Sequence, residues 1–204
     1  MGDTPCSNFF MKKSYCLFLV LLAIAGCNKD ENDKKEVPIL NISGFRLTDI
    51  SGNTIGQYGN PDNDWTLQNF TNFFGEDRDV LLTANNTGAP NTNAASITVG
   101  SAVAYPNPCN QAFIFSTFAT DSVKLTLMIE NEYGARLLTH EQNFKGAVSI
   151  TVDVSNRSLF SNKASLRIYY CYSTKNNPYY KAGYGDIKIC NSANGTLGGS
   201  TDCF

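Results

Sequence analysis

Few side chains in this sequence have a type and spacing that could do chemistry, and His140 is the only histidine. A histidine acting as a general base needs a positioned nucleophile or proton donor beside it. No G-x-S-x-G elbow, H-E-x-x-H pair or phosphate-cradling glycine loop is present. His140 falls on an expected strand with parity opposite to Leu137 and Thr139, which makes it a solvent-facing strand residue. Asp62, Asn63 and Asp64 put hard oxygen donors in one loop. Calcium takes about six to eight oxygens, but the glycine and distal glutamate of a calcium loop are missing. Asx turns account for these three residues better. Tyr179, Tyr180 and Tyr184, with Asn176 and Asn177, crowd the expected hairpin between the last two strands. Broad apolar faces beside amide groups suit a sugar or a protein contact. The plainer reading is aromatic packing along a sheet. No catalytic residue, metal ligand set or cofactor site is expected.

The strongest local signal lies near the start. Lys12 and Lys13 precede ten uncharged residues, Cys16 to Ala25, and the small residues Ala25 and Gly26 close the run. A basic start, an apolar core and a small-residue exit describe a secretory signal. Charges begin again at Lys29, so the run is shorter than the roughly 20 residues a membrane span needs. Met11-Lys12-Lys13 reads as the natural start of this signal. Ile24-Ala25-Gly26-Cys27 resembles the lipobox of bacterial lipoproteins. That resemblance implies cleavage before Cys27, a diacylglycerol on its sulfur and a third acyl chain on the new amino terminus. Two or more chains hold a protein stably on a membrane. Asn28 to Glu36 carries seven charges and nothing apolar to bury, so a disordered tether is expected. A charged run directly after the lipid cysteine is similar to the surface-export signal of Bacteroidetes lipoproteins.

Removing residues 1–26 leaves 204 minus 26, or 178 residues, with 14 basic and 17 acidic side chains, a net charge of −3. That balance offers no basic patch for nucleic acid. The length suits one domain with a small accessory unit. Cys6 and Cys16 drop out with the signal, leaving Cys109, Cys171, Cys190 and Cys203 besides Cys27. Their spacing does not suit zinc, and an exported chain permits disulfides. Four cysteines allow three connectivities. A hairpin centred near Pro178 sets Cys171 opposite about Gly185, not Cys190. The preferred set is therefore Cys190–Cys203 with Cys109–Cys171. The tail bridge would contribute up to about 3 kcal/mol.

Asn, Thr, Ser, Gly and Tyr dominate the mature chain, which favours strands and turns. Residues 37–100 are expected to be β-rich and too thinly apolar for a core of their own. Phe45 to Asp49 and Thr54 to Tyr58 form a candidate hairpin around Ser51-Gly52-Asn53. Trp65 to Phe70 and Val80 to Thr83 are further strand candidates, with Trp65, Leu67 and Phe73 supplying core. Gly59 to Asp64 and Asn85 to Asn93 are loops. Residues 101–190 carry the clearest pattern. Ala112 to Phe118 is apolar on both faces, as in a central strand. Val123, Leu125, Leu127 and Ile129 alternate with Lys124, Thr126, Met128 and Glu130, the period of a half-buried strand. Ala135 to Glu141, Val148 to Val154, Leu166 to Tyr172 and Gly185 to Cys190 follow. Six or seven short strands at this spacing argue for a sandwich. Residues 191–204 form a tail.

Ala104-Tyr105-Pro106-Asn107-Pro108 heads this second region, followed by Val123-Lys124-Leu125-Thr126-Leu127 and Glu132-Tyr133-Gly134-Ala135-Arg136. The set resembles the immunoglobulin-like module that opens with Y-P-N-P, found in type IX secretion sorting domains and the hook-capping family. A lipobox already supplies an export route and a tail follows Cys190, so the resemblance implies the fold without the sorting role. Asp121-Ser122-Val123 resembles the Bacteroidetes O-glycosylation acceptor, which would modify Ser122. The expectation is an all-β, immunoglobulin-like β-sandwich with a small N-terminal β-rich accessory region. It would sit in the cell envelope, held to the outer membrane by its N-terminal lipid. It would act without catalysis, as a binding or structural accessory in glycan capture or surface assembly, with a glycan or an envelope protein as partner. The alternative is an accessory hydrolase whose site is built from two loop carboxylates.

Overall fold

The computed structural model describes residues 38–61, 63–73, 75–84, 97–161, 163–174, 177–190 and Cys203. Residues 37–204 group as one unit. The signal, Cys27 and tether readings, the polar loop 85–93, Asn176 and the tail 191–202 lie outside the described residues. What is described is mostly strand, in curled antiparallel sheets.

The described residues open with a two-stranded ribbon, β1 (Gly44–Thr48) and β2 (Thr54–Gly59). Asp49 closes its turn by accepting the backbone N–H groups of Ser51 and Asn53 on one carboxylate oxygen. This is the Asx chemistry expected of the Ser51-Gly52-Asn53 stretch. The next two expected strands take other forms. Trp65 to Phe70 is a turn, a single bridge from Gln68 to Ala182 and the start of a 3-10 turn at Phe70–Asn72. Val80 to Thr83 lies inside a helix, α1 (Gly75–Ala84). A short apolar run does not separate strand from helix by periodicity. Asp77 and Asp79 stand in the first turns of α1, where acidic groups favour the helix N-terminus.

The main sheet is built on one long strand. β4 (Ala112–Asn131) and β5 (Arg136–Asp153) form a hairpin in which each strand replaces two of the expected short ones. Asn131 closes its turn, its side-chain oxygen accepting from the backbone N–H of Tyr133 and Ala135, while Gly134 takes φ of 73°. Thr120, Asp121 and Ser122 are not a turn. They bulge out of β4 opposite Gly146 and bend the strand without ending it. Below the bend β4 pairs with β3 (Val103–Tyr105). Above it, on the same edge, it pairs with β6 (Ser165–Thr174), which pairs in turn with β7 (Asn177–Lys188). Parallel bridging of Cys109 with Ile189 brings β7 back alongside the chain leaving β3. The sheet therefore curls around a core of Phe113, Phe115, Leu125, Leu127, Ile168, Tyr170, Tyr172 and Ile187, capped by Trp65.

A second core lies on the opposite face of β4, β6 and β7. There Phe70, Phe73 and Leu81 cover Met128, Tyr169, Cys171 and Ala182. Two expectations about exposure are reversed. Ala112 to Phe118 is half-buried, with Phe118 45% exposed. Leu125 to Glu130 is buried on both faces, with Phe70, Phe73 and Leu81 lying over Met128 on its outer side. Two glycines make room for the aromatic stack on the inner side. A Cβ on Gly185 would stand 2.1 Å from the Trp65 ring, and one on Gly183 would stand 2.3 Å from Tyr170. Trp65 and Tyr170 stack there with centroids 6.1 Å apart and planes 5° from parallel.

Candidate functional site

The densest polar constellation in the described residues is where β6 and β7 meet the N-terminal segment. Arg167 and Asp186 are direct cross-strand partners. Alternation puts Arg167 on the same face as Tyr169 and Cys171. Its Nε and Nη2 donate to the two oxygens of Asp186 at 2.8 and 2.9 Å, a bidentate pair. Nη2 also donates to the backbone carbonyl of Asn41 at 3.1 Å, and Nη1 reaches Asp77 at 3.4 Å. Tyr169 donates its hydroxyl to the same Asp77 oxygen at 2.7 Å. The guanidinium lies 4.3 Å from the centre of the Tyr184 ring. Burial works against the charge on Arg167, but the bonds and charge of Asp186, with Tyr169 and Asp77, together outweigh that and hold the group protonated. Burial raises the Asp186 carboxyl, against the pull of the same Arg167 bonds.

Asp64 and Asn107 extend the constellation inward. Asp64 is buried and accepts the backbone N–H of Asp186 on one oxygen and of Arg46 on the other, both at 2.7 Å. Burial pushes its carboxyl up to about 7 against the pull of those two donors. Asn107, the asparagine of the Tyr105–Pro108 motif, is fully buried. Its Nδ2 donates to the carbonyls of Arg46 and Asp186 at 2.8 and 2.9 Å, and its Oδ1 accepts from the Lys188 N–H at 3.0 Å. Its backbone exchanges hydrogen bonds with Thr48. The acceptors of Asp64, Asp186 and Asn107 are thus filled by internal donors. Chemically the constellation is a clasp: it fastens residues 41, 46, 64 and 77 to the β6–β7 edge. Sequence reading passed over Arg167, because in an alternating strand it looks like an outward, solvated residue. The one available sign was Asp186, a lone carboxylate in the strand expected to pair with it.

The residues singled out from the sequence are distributed elsewhere. His140 is half-exposed and within 3.3 Å of Gln142 Oε1. Asp64 turns its oxygens to backbone N–H groups, and Asp62 is outside the described residues. Among the described residues no group of three His, Cys, Asp or Glu could hold a metal. Residues 175–176 alone separate β6 from β7, so Tyr179, Tyr180 and Tyr184 stand in a strand and not in a loop. Asn177 is buried, Tyr180 donates its hydroxyl to the Ile97 carbonyl, and Tyr184 packs on Phe73 and Tyr169 beneath Arg167. These groups do not converge on one opening. Ser122 is exposed at the bend of β4, where Asp121 accepts its N–H and pairs with Lys145.

The cysteines divide by face. Cys190 and Cys203 are joined, with Cα atoms 4.8 Å apart. Cys109 and Cys171 are not: both are buried and neither is in a disulfide. Cys109 belongs to the inner core and Cys171 to the outer one, so the sheet itself separates them. The real register places Cys171 opposite Ala182 and not Gly185, because the hairpin turns three positions' worth of pairing earlier than Pro178 implies. Burial pushes the Cys109 thiol up to about 12.

Three concavities are formed by described residues. Two flank the β4–β5 turn. One of about 230 Å³ is lined by Tyr133, Leu137, Leu159 and Lys163, and one of about 370 Å³ by Ile39, Leu40, Val80 and Arg136. A third, of about 480 Å³, lies at the bend of β4 between Ser122, Lys124, Asn143 and Ser173. No protein-family model matches the chain, and neither a curated protein nor a solved structure shows significant similarity to it.

Proposed function

We propose that this chain is a lipid-anchored all-β module of the bacterial cell envelope, attached to the outer membrane through Cys27 and acting as a non-enzymatic binding or structural accessory. The observation that carries the reading is the order of its parts. A basic, apolar signal ends in Ile24-Ala25-Gly26-Cys27 and a charged stretch runs to Glu36. The folded strands begin within a dozen residues of it, at Gly44. The clasp at Arg167, Asp186, Asp64 and Asn107 supports a rigid accessory, since it spends buried charges on holding the N-terminal segment to the sheet. We read the curled sheet as a variant of the immunoglobulin-like sandwich, on the strength of the Tyr105–Pro108 entry into its central strand. Of the two partners considered, we favour an envelope protein over a glycan. Three of the five residues a sugar would use are engaged elsewhere: Asn177 is buried, Tyr184 packs on Phe73 beneath Arg167, and Tyr180 donates its hydroxyl to the Ile97 carbonyl. No helix among the described residues is long and apolar enough to cross a membrane, so attachment in this reading rests on acyl chains. Fractionation of cells expressing the wild type and Cys27→Ser tests it. The wild type should sediment with membranes through a carbonate wash and be released by detergent, and Cys27→Ser should be soluble. A Cys27→Ser protein that stays with the membranes refutes the anchor.

A further inference from the structure

The place where the described chain begins is also where exposed apolar side chains gather. The backbone N–H groups of Ile39 and Leu40 both donate to the Glu132 carbonyl, at 3.0 and 3.1 Å, which pins the entry of the chain to the β4–β5 turn. Ile39 lies on that turn: a Cβ at Gly134 would stand 2.5 Å from its Cδ1. Ile39 is 56% exposed, Tyr133 38% and Leu159 42%. These are three of the seven large exposed hydrophobic residues among the described ones. Tyr133 and Leu159 share one concavity beside the turn, and Ile39 and Val80 line the other. An apolar patch gathered at one pole marks a contact surface better than the same residues scattered singly.

Resting on the lipid anchor proposed above, we infer that this pole, Ile39, Tyr133 and Leu159 around the β4–β5 turn, lies against the lipid bilayer that holds Cys27. Eleven residues lie between Cys27 and Ile39, so the pole cannot stand farther than ~40 Å from the anchored sulfur. Within that reach the entry point is the part of the folded unit tethered nearest the membrane. Its side chains are of the kind that enters the boundary between headgroups and acyl chains: branched aliphatics, and a tyrosine with an apolar ring and polar tip. Charges of both signs ring the pole, Lys163 and Arg136 against Glu132 and Asp79. The contact is therefore apolar in origin and should form on zwitterionic lipid and persist in high salt.

The test uses the full, natively acylated protein reconstituted in phosphatidylcholine vesicles with and without brominated acyl chains. Tyr133→Trp and Leu159→Trp place an indole at the pole, and Phe118→Trp places one at an exposed site on β4. Trp65 is buried in the core and gives the same background in all three. Intact mass establishes acylation separately for each protein, and urea midpoints close to wild type establish folding. The indoles added by Tyr133→Trp and Leu159→Trp should each lose about half of their emission to bromolipid, as expected for side chains at the headgroup boundary. The indole added by Phe118→Trp should lose almost none, and 1 M salt should change nothing. Acylated protein in which all three indoles respond alike overturns the inference and leaves the anchor standing. Pole indoles shielded from aqueous iodide but untouched by bromolipid also overturn it, since a second copy of the chain then covers the pole. A chain without acyl groups removes both the anchor and this inference.

Discussion

Asn107→Ala should cost this protein a large part of its stability. The side chain has no exposed surface and makes three hydrogen bonds, to the carbonyls of Arg46 and Asp186 and from the N–H of Lys188. Truncation removes all three, at about 1 kcal/mol net each, and strands two acceptors and a donor away from water. Partial relaxation will recover some of this, so the expected loss is about 3–5 kcal/mol, against a typical total of about 5–15. Asn107→Asp keeps the shape but turns an oxygen towards both carbonyls, and should be no better than alanine at neutral pH. Asn143→Ala, on the exposed face of β5, should stay within about 0.5 kcal/mol of wild type. Urea unfolding followed by Trp65 fluorescence measures all three, because that indole leaves its packing against Tyr170 and Phe115 on unfolding. A loss below about 1 kcal/mol for Asn107→Ala would mean that the clasp does not hold the N-terminal segment in the way its bond lengths imply.

Asp64 makes stability depend on pH in an unusual direction. Its folded carboxyl is raised from 3.8 to about 7 by burial, so its contribution is complete below pH 4 and is lost as pH rises through about 7. Wild-type urea midpoints should therefore fall between about pH 4 and 7, and Asp64→Asn should flatten that fall whatever it does to absolute stability; parallel slopes would contradict the assignment. Tyr170 and Tyr172 should respond oppositely to loss of the hydroxyl. The Tyr170 hydroxyl is buried without a hydrogen-bond partner, so Tyr170→Phe should be neutral or stabilising by about 1 kcal/mol, whereas Tyr172→Phe, which breaks a 2.6 Å bond to Thr117, should cost about 1 kcal/mol; equal denaturation midpoints for the two would count against this packing. Cys109 and Cys171 should resist iodoacetamide in the native protein and react in urea, and non-reducing peptide maps should recover Cys190 joined to Cys203; a Cys109–Cys171 peptide would place the two on one face of the sheet.

Local chemistry in the sequence was a good guide to local structure. The alternation from Val123 to Glu130 is a strand, and Asn131 to Ala135 is its turn. The Asp49-to-Asn53 turn also follows from its residue types. What was not legible depends on the rest of the molecule. Thr120-Asp121-Ser122 has the composition of a turn, and only pairing across to Gly146 shows a bulge in an unbroken strand. Two long bent strands thus stood in for four short ones, which is why strand spacing overstated the strand count. Alternation reports which face of a strand is apolar and says nothing about a layer laid over the polar face. Met128, on the face that alternation reads as polar, is buried because Phe70, Phe73 and Leu81 arrive there from elsewhere. The clasp was hidden for a related reason. Arg167 and Asp186 become a pair only once the β6–β7 register is known, and a shift of three positions separates the expected register from the real one.

The central claim is that this module is held to a membrane by lipid on Cys27, and intact-mass measurement of the protein purified from native membranes tests it most directly. The account predicts a chain that begins at Cys27 and carries the added mass of a diacylglycerol and one further acyl group, removable from the sequence only by Cys27→Ser. A chain that begins at any other residue, or one that begins at Cys27 with an unmodified thiol, would contradict it.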